Sequence, residues 1–152
     1  MTSERKKIIE NYLKKNGATF HHPFTRTSYS FPSVDAMGFC VFYDKQTKQC
    51  LVHHVKPETC RAGPVTFDIN CRTQKVEWHL KKAEICELAK KLYENDVQFK
   101  EHLNVAKKEL SRLICGLDSD DLRAILKIEE PQTFKIGEEE LPKEVGSKLG
   151  FE

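Results

Sequence analysis

The chain has 152 residues, 39% of them hydrophobic and 32% charged, with a formal net charge of +2, the balance of one ordinary globular domain with a well-solvated surface. No run approaches the roughly 18 uncharged apolar residues of a membrane helix. The opening MTSERKKIIENYLKKNG lacks the apolar core of a secretory signal, so no membrane insertion and a cytoplasmic location are expected. Residues 1–80 carry 12 Lys/Arg against 7 Asp/Glu, and residues 116–152 carry 5 against 10. With no nucleic-acid motif or base-stacking aromatic pattern beside the basic half, that asymmetry reads as two solvated surfaces, and no nucleic-acid partner is expected.

Ser3 to Lys15 reads as a first helix with Ile8, Ile9, Tyr12 and Leu13 as its apolar stripe and Gly17 as its stop. From Ala18 to Gly38 the periodicity is lost, which predicts an irregular segment pinned by Phe20, Phe24, Tyr29 and Phe31. Phe39–Tyr43 and Gln49–His53 suit a β-hairpin around DKQTKQ, Lys56–Pro64 reads as turn, and Val65–Ile69 and Lys75–Leu80 read as strands. Ile85, Leu88, Ala89, Leu92 and Tyr93 repeat at helical spacing, and Asp96 is placed to cap a second helix running to about Gly116. A short helix starts near Asp118 or Ser119, and after Pro131 the chain becomes acidic and Pro/Gly-punctuated. The expected fold is α+β: one helix, a small antiparallel sheet carrying cysteines, a helical hairpin, a short helix and an acidic tail. The expected division is a single domain over residues 1–130, with the cysteine segment at 38–71 and the helical part at 82–128, followed by a tail at 131–152.

Six cysteines in a reducing compartment argue for metal or redox use and packing rather than disulfides. Cys86 and Cys115 fall in helices, where a thiol packs as a small hydrophobe. The other four, Cys40, Cys50, Cys60 and Cys71, stand as C-x9-C-x9-C-x10-C at expected strand ends and turns, with His53 and His54 between the second and third. A closed tetrahedral zinc site takes four such thiolate or imidazole ligands. Iron–sulfur clusters also take four cysteines, and the short CxxC knuckle that would mark either is absent.

The run G-F-C followed by C-L-V-H-H-V-K-P-E-T-C-R-A-G-P resembles the YkgJ-type cysteine-cluster family of zinc- or iron-chelating domains. That family's later half reads roughly C-x-[IV]-Y-x-x-R-P-x-x-C-R-x-[YF]-P. The resemblance is carried by Cys40, Cys50, Val52, Pro57, Cys60, Arg61 and Pro64, and Cys71 falls where some members place a last cysteine. The family's opening C-x-x-C-x-x-C-C is missing, its place taken by HHPFTRTSYSFP, and His53, Lys56 and Gly63 replace the usual tyrosine, arginine and aromatic. The resemblance therefore implies one ion at most: zinc first, iron or an iron–sulfur cluster as the alternative, or a degenerate site without metal. Its ligands would be Cys40, Cys50, Cys60 and Cys71, with His53, His54, His21 or His22 as substitutes, and Arg61 and Lys56 as nearby compensating cations. His53 and His54 would face opposite sides of a continuing strand.

These readings converge on a metal-binding protein that acts through contacts with another protein or complex. A redox- or oxygen-responsive adaptor docking on a larger enzyme complex is the alternative. A metal-dependent hydrolase, using Cys60 with His54 or a metal with Asp35 or Asp68 as base, has no motif behind it, so binding is expected rather than catalysis.

Overall fold

A computed structural model describes residues 1–130 and 132–151 and shows an α+β chain that divides into two compact units, Met1–Pro57 and Glu58–Glu152. Among the described residues no helix is long and apolar enough to cross a membrane.

The first unit begins with α1 (Ser3–Lys15), where the Thr2 side chain accepts a hydrogen bond from the Arg5 amide at 3.1 Å, satisfying one of the donors that a helix start leaves open. Gly17 follows the helix at φ +66°, a conformation that an L side chain resists. Ile9 and Leu13 are buried as expected, but Ile8 is exposed and Arg5 is buried in its stead. Arg5 bridges to the body of the unit, its Nη1 donating to the Lys56 carbonyl at 3.1 Å. Two short antiparallel hairpins follow, β1 (Phe24–Arg26) with β2 (Ser30–Pro32), and β3 (Tyr43–Asp44) with β4 (Gln49–Cys50). Both are too short to stand alone in water. They are held by a core of Ile9, Leu13, Phe42 and Val52, in which Phe20 and Phe24 meet the Phe42 ring edge-on at 5.4 and 5.7 Å.

The second unit opens with α2 (Glu58–Ala62) and then a three-stranded antiparallel sheet in the order β5 (Val65–Asn70), β6 (Lys75–Lys81), β7 (Thr133–Glu140). Alternation along β6 places Val76, Trp78 and Leu80 in the core and Lys75, Glu77 and His79 on the opposite, polar face. Across the apolar face lies α4 (Asp96–Gly116), contributing Ala106, Leu110, Leu113 and Ile114. The shorter helices are α3 (Glu87–Tyr93), α5 (Ser119–Ile125) and α6 (Lys143–Leu149).

The expected acidic tail is an integral part of this unit. Its TFKIGEEE run is β7, in register with β6, and its α6 buries Val145. Its acids find cations: Glu138 pairs with Lys135 at 2.5 Å and with Lys75, and Glu139 pairs with Lys107. Lys148 of α6 donates to the carbonyls of Cys115 and Leu117 at 2.5 and 3.0 Å, neutralising the end of α4 where open acceptors collect. The helix-cap expectation shifts by one residue, since Asn95 and not Asp96 accepts from the Gln98 amide, at 3.0 Å.

Candidate metal centre

The thiols at residues 40 and 50 are brought together by local turn chemistry. Asp35 Oδ1 accepts from the amides of Met37 and Phe39, each at 2.9 Å, and its Oδ2 receives Lys45 Nζ at 2.7 Å. The Lys45 ammonium and the Phe39 amide together hold the Asp35 carboxyl below its usual range. Gly38, at φ +81°, completes this tight loop, and Cys40 leaves it in an isolated bridge to Val34. The chain then turns at once: the Cys40 carbonyl accepts from the Tyr43 amide at 2.9 Å, so the Cα atoms of Cys40 and Tyr43 lie within about 7 Å.

Tyr43 is in turn the direct cross-strand partner of Cys50. Its hairpin loop is set by Asp44 Oδ1, which accepts from the Gln46 amide at 2.8 Å. Cys40 and Cys50 therefore flank one residue. The Cys40 thiol is pushed up first by burial and, to a smaller degree, by the neighbouring Cys50; a hydrogen bond from the Phe42 backbone works in the opposite direction. An amide N–H directed at a cysteine sulfur stabilises its thiolate form, the form in which cysteine binds metals. Between the two cysteines the chain buries Phe42 completely, and the Leu51 amide bonds to the Phe42 carbonyl at 2.8 Å. Cys40 is thus exposed just ahead of a hairpin anchored from beneath, and Cys50 is half-buried against the same core.

The histidines differ from expectation. The strand ends at Cys50, and His53–Val55 form a 3₁₀ turn, so His53 and His54 do not alternate across a sheet. Their rings lie 5.7 Å apart, edge to face, and both are exposed. The cause is Val52, which must reach the core of the unit and bends the chain away from the hairpin. Cys50 and His53 are consequently separated by two residues on one turn, a spacing common in metal knuckles. His21 and His22 are exposed ahead of β1, with His22 held at φ +49° and its carbonyl accepting from Ser33 Oγ at 2.8 Å.

Cys60 and Cys71 belong to the second unit. Cys60 is exposed on α2, where a turn was expected, and Cys71 is exposed after β5 with its Sγ 3.7 Å from the Ile69 carbonyl. The expected single cysteine-bearing sheet is thus distributed: Cys50 on the β3–β4 hairpin, Cys40 just before it, Cys60 on a helix and Cys71 in the β5–β6 turn. Arg61 and Arg112 both approach the buried Glu109 carboxylate, at 3.7 and 3.2 Å. Lys56 contributes its carbonyl to Arg5. Cys86 and Cys115 pack against the core of the second unit, as expected for structural thiols.

Among the described residues no three His, Cys, Asp or Glu side chains are gathered closely enough to hold a metal ion. The donor chemistry fits a soft or borderline ion at Cys40 and Cys50, while the remaining coordination positions are not preassembled. Asp35 enters the sequence reading only as a possible base beside a metal, not as the organiser of the loop before Cys40, and Phe42, which anchors the hairpin under this pair, does not enter it as part of a metal site. The D-x-x-G turn pattern was the available signal for the first, whereas nothing local distinguishes Phe42 from the other aromatics.

A family model called CxxCxxCC, with the description "Putative zinc- or iron-chelating domain", matches residues 2–101. No curated protein and no solved structure matches the chain. The matched region contains Cys40, Cys50, Cys60 and Cys71 but no C-x-x-C-x-x-C-C run, and it ends within α4.

Proposed function

The chain belongs to the CxxCxxCC family of zinc- or iron-chelating domains, and from that premise we propose that it binds a single zinc or iron ion anchored on Cys40 and Cys50. The observation that carries the reading is the placement of both thiols around Tyr43, with the Phe42 amide directed at one sulfur. When bound, the ion supplies cross-linking free energy to the hairpin, since metal binding and folding are linked. Cys60 and Cys71 are the thiolates proposed to join it, and His53 and His54, followed by His21 and His22, are the substitutes if a thiolate is not recruited. Arg61 and Lys56 are the cations proposed to offset its thiolate charge. The proposed setting is the reducing cytoplasm, where these thiols stay available, and the proposed role is that of a binding module working through another protein.

Metal analysis after anaerobic purification tests the reading. One zinc or iron per chain is expected for the wild type, with loss in Cys40→Ser and Cys50→Ser and retention in Cys86→Ser. Equal metal content in all four proteins, or none in the wild type, contradicts it. A redox-responsive adaptor would instead retain a brown iron–sulfur chromophore that bleaches in air.

A further inference from the structure

Cys40 and Cys50 stand ten residues apart, and so do Cys50 and Cys60. Loop-closure entropy treats these two spacings alike, so only the fold can separate them. It joins the first pair by two local contacts. The Tyr43 amide donates to the Cys40 carbonyl at 2.9 Å, which keeps the Cα atoms of the two residues within about 7 Å. Tyr43 is paired across the hairpin with Cys50, at about 5 Å between Cα atoms. Cys60 lies on α2 in the other compact unit.

Both approaches to the pair are braced. Asp35 accepts from the Met37 and Phe39 amides and from Lys45 ahead of Cys40, and Asp44 accepts from the Gln46 amide in the loop between Tyr43 and Cys50. Phe42 and Val52 hold the same strands in the core. Cys40 is exposed to a small reagent, whereas Cys86 and Cys115 pack against the core of the second unit. Burial and, to a smaller degree, the neighbouring Cys50 raise the Cys40 thiol, which slows its attack at neutral pH. The pairing is therefore read at equilibrium and not as a rate. Once one thiol of a braced pair has reacted, the second step is intramolecular and strongly favoured.

We infer that Cys40 and Cys50 form a reversible disulfide switch, closed by a small disulfide such as glutathione disulfide, and that closing it releases the ion. The release step rests on the reading of this pair as the ion's anchor. One thiolate of the pair attacks a glutathione sulfur, forming a mixed disulfide and expelling one glutathione thiolate. The second thiolate attacks the protein sulfur of that mixed disulfide and expels the other glutathione. Two electrons pass from the protein sulfurs to glutathione, and the two thiol protons end on two glutathione thiols. A disulfide sulfur lacks the thiolate charge that holds a metal, so the closed pair and the bound ion exclude each other.

The test equilibrates the full chain anaerobically, metal-free and zinc-loaded, in buffers of increasing glutathione disulfide over glutathione, then alkylates the remaining thiols. Trypsin with a glutamate-specific protease puts Cys40, Cys50 and Cys60 on different fragments for mass spectrometry. The metal-free chain should yield the Cys40–Cys50 linked fragment at least about tenfold over Cys50–Cys60, and a thiol reductant should reverse it. The zinc-loaded chain should release one zinc per linked fragment, read with a zinc-sensitive dye. Cys50→Ser should stop at Cys40 carrying one glutathione, while Cys115→Ser should behave as wild type. The inference is overturned by no linked fragment in the fully oxidising buffer, by equal yields of the two equally spaced pairs, or by zinc that stays bound to the linked chain. Closure in a chain whose reduced form takes up no zinc would overturn the metal reading and the release step, and would leave the pairing standing.

Discussion

Phe42→Ala is the sharpest perturbation of the hairpin that presents Cys40 and Cys50. The ring is fully buried and meets Phe20 and Phe24 at 5.4 and 5.7 Å. A buried Phe→Ala truncation costs about 3–5 kcal/mol. Two edge-to-face partners, at about 0.5–1.5 kcal/mol each beyond area burial, place this site in the upper half of that range. A unit spanning Met1–Pro57 has a total stability of only about 3–9 kcal/mol on the usual per-residue scale. The substitution therefore removes half or more of what holds the first unit together. Phe42→Leu keeps most of the volume and should cost about 1–1.5 kcal/mol. The assay is urea unfolding followed by the amide signals of Ile9, Cys50 and Val52, alongside zinc uptake. Phe42→Ala should collapse these signals in little or no urea and weaken zinc uptake in step with the unfolded fraction. Phe42→Leu should shift the midpoint while keeping the metal. Native dispersion and unchanged zinc uptake in Phe42→Ala would refute the claim that this ring anchors the thiol pair.

Two titrations probe the second unit. Burial, then a hydrogen bond and charge repulsion from Glu144, push the Cys115 thiol from 9.0 to about 11. At pH 8 it should therefore alkylate about 100-fold more slowly than a thiol titrating at 9.0, as read by mass spectrometry. Its contribution to stability is full below pH 9 and is lost as pH rises through about 11. Rapid, stoichiometric labelling of the folded chain at Cys115 would contradict this. Glu138, held by Lys135 and Lys75, is drawn from 4.5 to about 2; the stabilisation from these pairs is full above pH 4.5 and disappears as pH falls through about 2. Carboxyl-detected NMR should show that low midpoint, moving toward 4.5 in Lys135→Ala or in high salt; a wild-type midpoint near 4.5 would show the pairs to be absent in solution.

The parts of the fold that were legible in the sequence are those set by local rules. Helix α1 runs from Ser3 to Lys15 and stops just ahead of Gly17, whose positive φ lets the chain reverse, and β6 is written in the alternation of Val76, Trp78 and Leu80. The third strand was hidden because three glutamates in succession, Glu138 to Glu140, resemble a solvated tail. Only the lysines of β6, β7 and α4 turn them into a pairing edge. The helix under Cys60 was obscured by its five-residue length and its position between Pro57 and Pro64. The cysteine spacing pointed to four candidate ligands without showing which would meet. Cys40 and Cys50 meet through a β-turn and one cross-strand pair, both local. Placing Cys60 and Cys71 in a separate compact unit depends on how the cores divide, which no spacing records.

X-ray absorption at the metal edge of the anaerobically purified protein tests the central claim most directly. The account predicts one zinc or iron ion with at least two sulfur neighbours, at about 2.3 Å for zinc, and loss of those sulfurs in the Cys40→Ser/Cys50→Ser variant. A bound ion coordinated only by nitrogen and oxygen, or a sulfur shell that survives removal of both thiols, would contradict it.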